Sequence, residues 1–474
     1  MHMKNFRSAL AGAALTGIIC LSGAPAFAAE IDGAALSLLW GLPFIGILLS
    51  IAVLPLLAPH FWHQHYGKVA ACWGLAFLLP FAFFQADLAT AANAVLSVAL
   101  HEYIPFVILL GALFTIAGGV RVVGNLHGSP SLNTGLLAAG TVLASWMGTT
   151  GAAMLLIRPL IRANDDRPHN VHVVVFFIFL VGNVGGALTP LGDPPLFLGF
   201  LLGVHFFWTA EAMLLPMLLI SMILLALFYF IDLHFYNKEG RTRDESPDSN
   251  IGLEGGINIP LLGGVIAAVL MSGTWKPGFE WSVFGVSVAP QNVARDVILV
   301  ALAGASLLLT RAESRQANGF NWEPILEVAK LFAGIFLTIV PVIAILRAGE
   351  QGQLVEIIRM VTNADGSPNN PMYFWLTGLL SAFLDNAPTY LVFFNMAGGD
   401  AQRLMGPLAD TLLAISAGAV FFGALSYIGN APNFMVKAIA EQSGIKMPSF
   451  FGYMAWSVPI LLPVFAVVTF FFFL

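Results

Sequence analysis

Two carboxylates, Asp193 and Asp385, stand inside stretches that are otherwise almost wholly apolar. An acid is costly to hold in hydrocarbon, so one found there is by default a functional candidate. Burial favours the neutral form of an acid and a bound cation favours its charged form. A carboxylate in such a place can therefore trade a proton for a cation. Hydroxyl and amide oxygens nearby can complete the shell of a hard cation, and the candidates are Ser145, Thr149, Thr150, Thr189, Ser381, Asn386, Ser426 and Asn430. The competing use of either acid is to cap the free N–H groups of a broken helix.

The acids lie in a repeated pattern. Gly186-Ala-Leu-Thr-Pro-Leu-Gly192-Asp193-Pro194-Pro195-Leu-Phe197 matches Gly423-Ala-Leu-Ser-Tyr-Ile-Gly429-Asn430-Ala-Pro432-Asn-Phe434 at a constant offset, 423 − 186 = 237, with six identities. A second pair, Ser145-Trp-Met-Gly-Thr149-Thr150 and Ser381-Ala-Phe-Leu-Asp385-Asn386, aligns at 381 − 145 = 236. Gly192, Pro194, Pro195, Gly429 and Pro432 predict helix breaks, because proline removes a backbone donor and glycine permits unusual dihedrals. A broken helix offers free N–H groups at one end and free carbonyls at the other, and two matched breaks can surround one binding site.

These motifs must be held by membrane helices. The 474 residues are 58% hydrophobic and only 10% charged, with a mean hydropathy of +0.84; soluble domains carry roughly 25% charged residues. Lipid is therefore the expected solvent. Apolar stretches long enough to span fall at 34–57, 67–84, 93–118, 170–207, 209–236, 259–275, 293–310, 323–346, 411–444 and 449–473. Segments 130–161 and 371–396 are interrupted by polar residues near their middles and read as re-entrant hairpins. The expected fold is an all-α polytopic membrane protein of two inverted repeats, each of five spans plus one re-entrant hairpin and one broken helix. An odd number of spans in each half makes the second half enter from the opposite side.

Residues 1–28 read as a cleavable signal peptide, with Lys4 and Arg7 before an apolar run and Ala26-Phe27-Ala28 at its end. The first repeat then occupies 29–236, a polar cytoplasmic linker 237–258, and the second repeat 259–474. Placing the mature N-terminus in the periplasm puts Arg121, Arg158, Arg162, Arg167, Lys238, Arg311 and Arg315 inside, in keeping with the positive-inside rule. No basic stripe suggests nucleic acid, and no P-loop suggests ATP. No cofactor is expected, and no metal beyond transported Na⁺.

The hairpin-and-break plan resembles the ion transporter superfamily. Gly192-Asp193-Pro194-Pro195, Leu384-Asp385-Asn386-Ala387-Pro388-Thr389 and Gly429-Asn430-Ala431-Pro432-Asn433 are most similar to NhaD-type sodium/proton antiporters and to a related group of citrate transporters. The resemblance implies alternating access, a homodimer and a site at the paired motifs. The expected function is exchange of Na⁺ or Li⁺ for H⁺ across the inner membrane, with Asp193 and Asp385 as the exchanging acids. The alternative is Na⁺-coupled transport of citrate or another small carboxylate or oxyanion, in which the two acids hold the coupling ion.

Other residues are less telling. His101 and Glu102, ahead of Pro105, could relay protons or sense pH, or form a satisfied pair at the membrane surface. Glu327 and Lys330 could pair at i, i+3. The glycines of 182–186 read as a helix-packing stretch.

Overall fold

The protein is described by a computed structural model over residues 32–85, 88–124, 126–239 and 252–474. The expected signal peptide at 1–28 and most of the linker, 240–251, lie outside the described residues.

The first half contributes α1 (Leu42–Leu57), α2 (Pro59–Pro80), α3 (Leu88–Val98), α4 (Ile104–Ala117), α5 (Pro130–Met147), α6 (Thr149–Ala163), α7 (Val171–Leu180), α8 (Pro194–Leu201) and α9 (Trp208–Lys238). The second half contributes α10 (Asn258–Thr274), α11 (Pro290–Leu309), α12 (Glu323–Thr338), α13 (Val340–Arg347), α14 (Asn370–Leu384), α15 (Asn386–Met396), α16 (Ala409–Phe422), α17 (Ala431–Gln442) and α18 (Phe450–Phe472). Two small antiparallel ladders join β1 (Arg121–Val123) to β2 (Gly252–Glu254) and β3 (Trp281–Val283) to β4 (Val286–Val288). Among the described residues, seven helices are long and apolar enough to cross a membrane, and the pair α12 and α13, bent by 42°, raises this to eight.

Several expected bounds shift for local reasons. The second span begins at Pro59 rather than 67, because Pro59 can open a helix at a first-turn position where its missing N–H is not needed. The third runs from Thr90 to Ala117 through a π-helical turn, Ala99–Tyr103. The expected span 170–207 is two helices, α7 and α8, joined by a 3₁₀ turn at Val184–Leu188. The expected span 411–444 is likewise α16 and α17, joined by a turn at Gly423–Leu425.

The core is built around these broken segments. The run Val171–Leu188 is 89% buried within the protein, whereas the other six spans are 17–33% buried. Its sequence explains the difference, since Val-His-Val-Val-Val-Phe-Phe-Ile-Phe-Leu is apolar all round apart from His172 and needs neighbours on every side. In α16 every residue from Thr411 to Phe422 is buried. The simple spans show apolar faces outward, such as Leu49, Leu215 and Met222, where lipid replaces protein as the contact.

Candidate functional site

Each hairpin starts in the same way. The Ser129 side chain accepts from the Leu132 N–H and Pro130 opens α5, while the Asn369 side chain accepts from the Met372 N–H and Pro371 lies in the first turn of α14. These N-caps satisfy donors that a helix start leaves free. Each hairpin also reverses at one residue of positive φ: Gly148 (φ 80°, ψ 148°) between α5 and α6, and Asp385 (φ 77°, ψ 140°) between α14 and α15. The two tips therefore correspond at 385 − 148 = 237, not at the 236 suggested by side-chain likeness.

The breaks follow the same offset. Thr189 (φ −140°, ψ 159°) and Ser426 (φ −135°, ψ 168°) leave their 3₁₀ turns in extended conformation. Asp193 (φ −143°, ψ 142°) and Asn430 (φ −153°, ψ 142°) then lead into α8 and α17. Between these points each chain folds onto itself through a glycine pair. A Cβ on Gly192 would lie 2.1 Å from the Gly186 carbonyl oxygen, and one on Gly429 would lie 2.6 Å from that of Gly423. Thr189 donates its hydroxyl to the Ser145 carbonyl, and Ser426 donates to that of Ala382. Leu191 and Ile428 donate their N–H groups back to those hydroxyls, at 3.1 and 3.2 Å. The same clamp thus ties hairpin to break in each half.

With the register set at 237, four polar residues form two equivalent pairs: Thr149 with Asn386 at the hairpin tips, and Asp193 with Asn430 at the breaks. The structure brings all four together. Asp193, 1% exposed, accepts at Oδ1 from Thr149 Oγ1 (3.2 Å) and Asn430 Nδ2 (2.9 Å), and at Oδ2 from Asn386 Nδ2 (2.6 Å). The carboxylate is the shared acceptor for donors from both hairpins and from the opposite break. Asn386 Oδ1 is buried beside it with no hydrogen-bond partner. A buried acceptor left unpaired costs free energy. That oxygen and the carboxylate oxygens are of the ligand type that hard cations take.

Asp385 is placed differently. It is half-buried, and its Oδ1 accepts from the Ala387 N–H at 3.1 Å, capping α15. Ser145, Thr189, Ser381 and Ser426 sit beside the site and spend their hydroxyl protons on main-chain carbonyls. Thr150, the second residue of α6, is half-buried. His101 bonds through its ring nitrogens to the Ser287 carbonyl (2.8 Å) and Ser97 Oγ (3.2 Å), not to Glu102. Glu327 accepts from Trp62 Nε1, and the Lys330 ammonium lies 5.2 Å from the centre of the Tyr66 ring, so these two do not pair. Among the described residues no three His, Cys, Asp or Glu side chains come together as a metal site.

Two residues were not singled out by sequence. Asn183 donates to Asn433 Oδ1 (2.8 Å), and Asn433 donates to the carbonyls of Gly423 (2.7 Å) and Ser426 (2.9 Å). Asn430 donates also towards the Gly182 carbonyl and Asn183 Oδ1. This amide ladder lies directly behind Asp193 and joins the two breaks. Asn433 was visible as the last letter of the second motif, whereas Asn183 was hidden among glycines.

A second polar cluster fixes the base of the first hairpin. Asp232, fully buried in α9, takes Arg167 Nη2 (2.7 Å), His172 Nε2 (2.8 Å) and Asn133 Nδ2 (2.9 Å). Arg167 also reaches Glu239 (3.0 Å). These contacts tie the starts of α5 and α7 to the end of α9.

A family model described as "Putative citrate transport" matches residues 33–473. Two curated relatives, uncharacterized transporters of Mycobacterium tuberculosis and Mycobacterium bovis, are each 27% identical over 365 residues, covering 71% of this chain and 78% of theirs.

Proposed function

Because the chain belongs to this citrate transport family, we propose that it is a secondary transporter that carries citrate or another small carboxylate coupled to Na⁺. The observation that supports cation coupling is the convergence of Thr149, Asn386 and Asn430 on Asp193. Na⁺ would replace the amide and hydroxyl donors on the carboxylate and take the unpaired Asn386 Oδ1 as a further ligand. An ion bound there offsets the negative charge of the carboxylate carried with it.

In this reading the two halves are inverted about an axis through the Asp193–Asn430 contact. The hairpins open to opposite sides of the inner membrane, and the protein works as a homodimer by alternating access. Inverted repeats of this kind place their ion site near the bilayer midplane.

A second reading, exchange of Na⁺ or Li⁺ for H⁺, is favoured by one observation: the two hairpin tips and two breaks carry two acids, Asp193 and Asp385, and no Lys, Arg or His. Proteoliposomes separate the two. Uptake of labelled citrate driven by a Na⁺ gradient supports carboxylate symport. Collapse of an imposed pH gradient by Na⁺ without any carboxylate supports exchange and rules out obligate symport.

A further inference from the structure

Away from Asp193 the protein contains a cavity of about 610 Å³, bounded by the α3–α4 span and α13 on one side and by α15 and the end of α8 on the other. That volume lies within the roughly 300–1,000 Å³ typical of small-molecule sites. Its charged residues are unusual. Arg347, the last residue of α13, is exposed and donates from Nε to Asn395 Oδ1 at 2.8 Å. Asn395 is itself oriented by donating to the Leu391 carbonyl at 2.8 Å. The guanidinium plane is thus set from one edge, and among the described residues no carboxylate forms an ion pair with it. A guanidinium held in this way presents parallel donors to a carboxylate.

Glu102 lines the same cavity, and its Oε2 is closed to solvent without a partner. It sits in the π-helical turn Ala99–Tyr103, and such turns recur at functional sites. The other carboxylate of the lining, Asp32, already accepts from the Ala34 N–H at 3.0 Å.

The cavity therefore offers one oriented cationic donor and one acceptor without a donor. A simple dicarboxylate would satisfy Arg347 but set a like charge against Glu102. We propose that the cavity binds a small 2-hydroxy carboxylate, with a carboxylate on Arg347 and the hydroxyl donating to Glu102. This assignment rests on the carboxylate-transport reading and deepens it. Asn93 and Ser97 supply further polar contacts in the lining. The site communicates with Asp193 along one helix. Asn386 touches Asp193 at the start of α15, and Asn395 lies nine residues further on, about 14 Å at 1.5 Å per residue. Arg347 thus receives the anion at one end of α15 while the cation binds at the other.

The test is equilibrium binding of labelled citrate to the purified full chain in Na⁺, with competition by tricarballylate, which lacks the hydroxyl, and by malate, succinate and aspartate. A site that hydrogen-bonds a substrate hydroxyl discriminates against the analogue without it. Citrate and malate are expected to bind at least about tenfold more tightly than tricarballylate and succinate. Arg347→Gln should weaken all four by about tenfold or more, and Arg347→Lys by less. Glu102→Ala should erase the preference for the hydroxyl. The Na⁺-induced thermal shift reports folding and the Asp193 site independently, and it should persist in all three variants. Unchanged citrate binding in folded Arg347→Gln overturns the proposal, as does a hydroxyl preference that survives Glu102→Ala. Tighter binding of aspartate than malate would assign Glu102 to an ammonium instead and overturn it too. If the unaltered protein neither binds nor moves any carboxylate, the transport reading itself fails with it.

Discussion

Asn430 donates a hydrogen bond of 2.9 Å to Asp193 Oδ1 across 237 residues of chain, and 237 is the offset that superimposes the two motifs. Equivalent positions of the two halves therefore touch each other, one as an acid and the other as its amide. A repeat made of two acids here would set like charges together in a buried site, where their repulsion is strong. The acid–amide pair keeps one charge and gives it a donor.

Asp193→Asn should fold and lose coupled transport. The substitution sets an amide donor against Asn386 Nδ2 or Asn430 Nδ2, at a cost of about 1–3 kcal/mol for a buried unpaired group. Uptake in proteoliposomes should fall by about 100-fold or more, a loss of about 2.7 kcal/mol. The Na⁺-induced rise in Tm should vanish. Retained Na⁺-dependent uptake would remove Asp193 from the coupling site.

Asp385 is one of two non-glycine residues with positive φ among the described residues. Backbone strain of this kind costs about 1–3 kcal/mol and persists where the surroundings enforce it. Asp385→Gly should therefore fold about as well as the unaltered chain, since relief of strain offsets the lost cap on Ala387. Asp385→Ala should be less stable, because it keeps the strain and loses the cap. Comparison of the two Tm values separates backbone from carboxylate, and equal transport by Asp385→Gly would assign Asp385 to the turn alone.

Gly192→Ala and Gly429→Ala should both disrupt the breaks, with Gly192→Ala the more severe, because its Cβ would meet a main-chain oxygen at 2.1 Å rather than 2.6 Å. Gly263, where a Cβ meets nothing within 4 Å, is the control. Fluorescence-detected size exclusion after heating should show early loss of the two break variants and little change for Gly263→Ala. Equal behaviour of all three would mean that the breaks relax freely.

The proposed inversion of the halves has a direct reporter. Ser131 and Ser367 are exposed residues near the bases of the first and second hairpins. In a background with Cys20→Ser and Cys72→Ser, Ser131→Cys and Ser367→Cys should react with an impermeant maleimide from opposite sides of the membrane. Labelling from the same side would make the repeats parallel.

Much of the site was legible because both motifs combine glycine, proline and a lone polar residue within apolar sequence. Those residues act locally, so their spacing alone marks Asp193 and Asn430. The hairpin register was missed by one residue because the alignment followed the serines, Ser145 and Ser381. The repeated property is instead the left-handed backbone at Gly148 and Asp385, and a glycine and an aspartate share no side-chain likeness. Asn183 was missed because its partner Asn433 is 250 residues away. His101 and Glu102 were read together as chain neighbours, but successive residues on a helix do not face each other. His101 turns to β4, and Glu102 turns into the cavity.

The three hydrogen bonds on Asp193 also have a mechanical meaning. The oxygens that would ligate a cation are the same oxygens that bolt the first break to the second hairpin and second break. In the proposed cation-coupled reading, a cation and the bolt would compete for one pair of atoms, so an ion that binds would unfasten side chains reaching in from the other half. Occupancy would thereby be translated into the stiffness of the seam between the halves, with the strength of ion binding and the freedom of that seam to move set by one carboxylate.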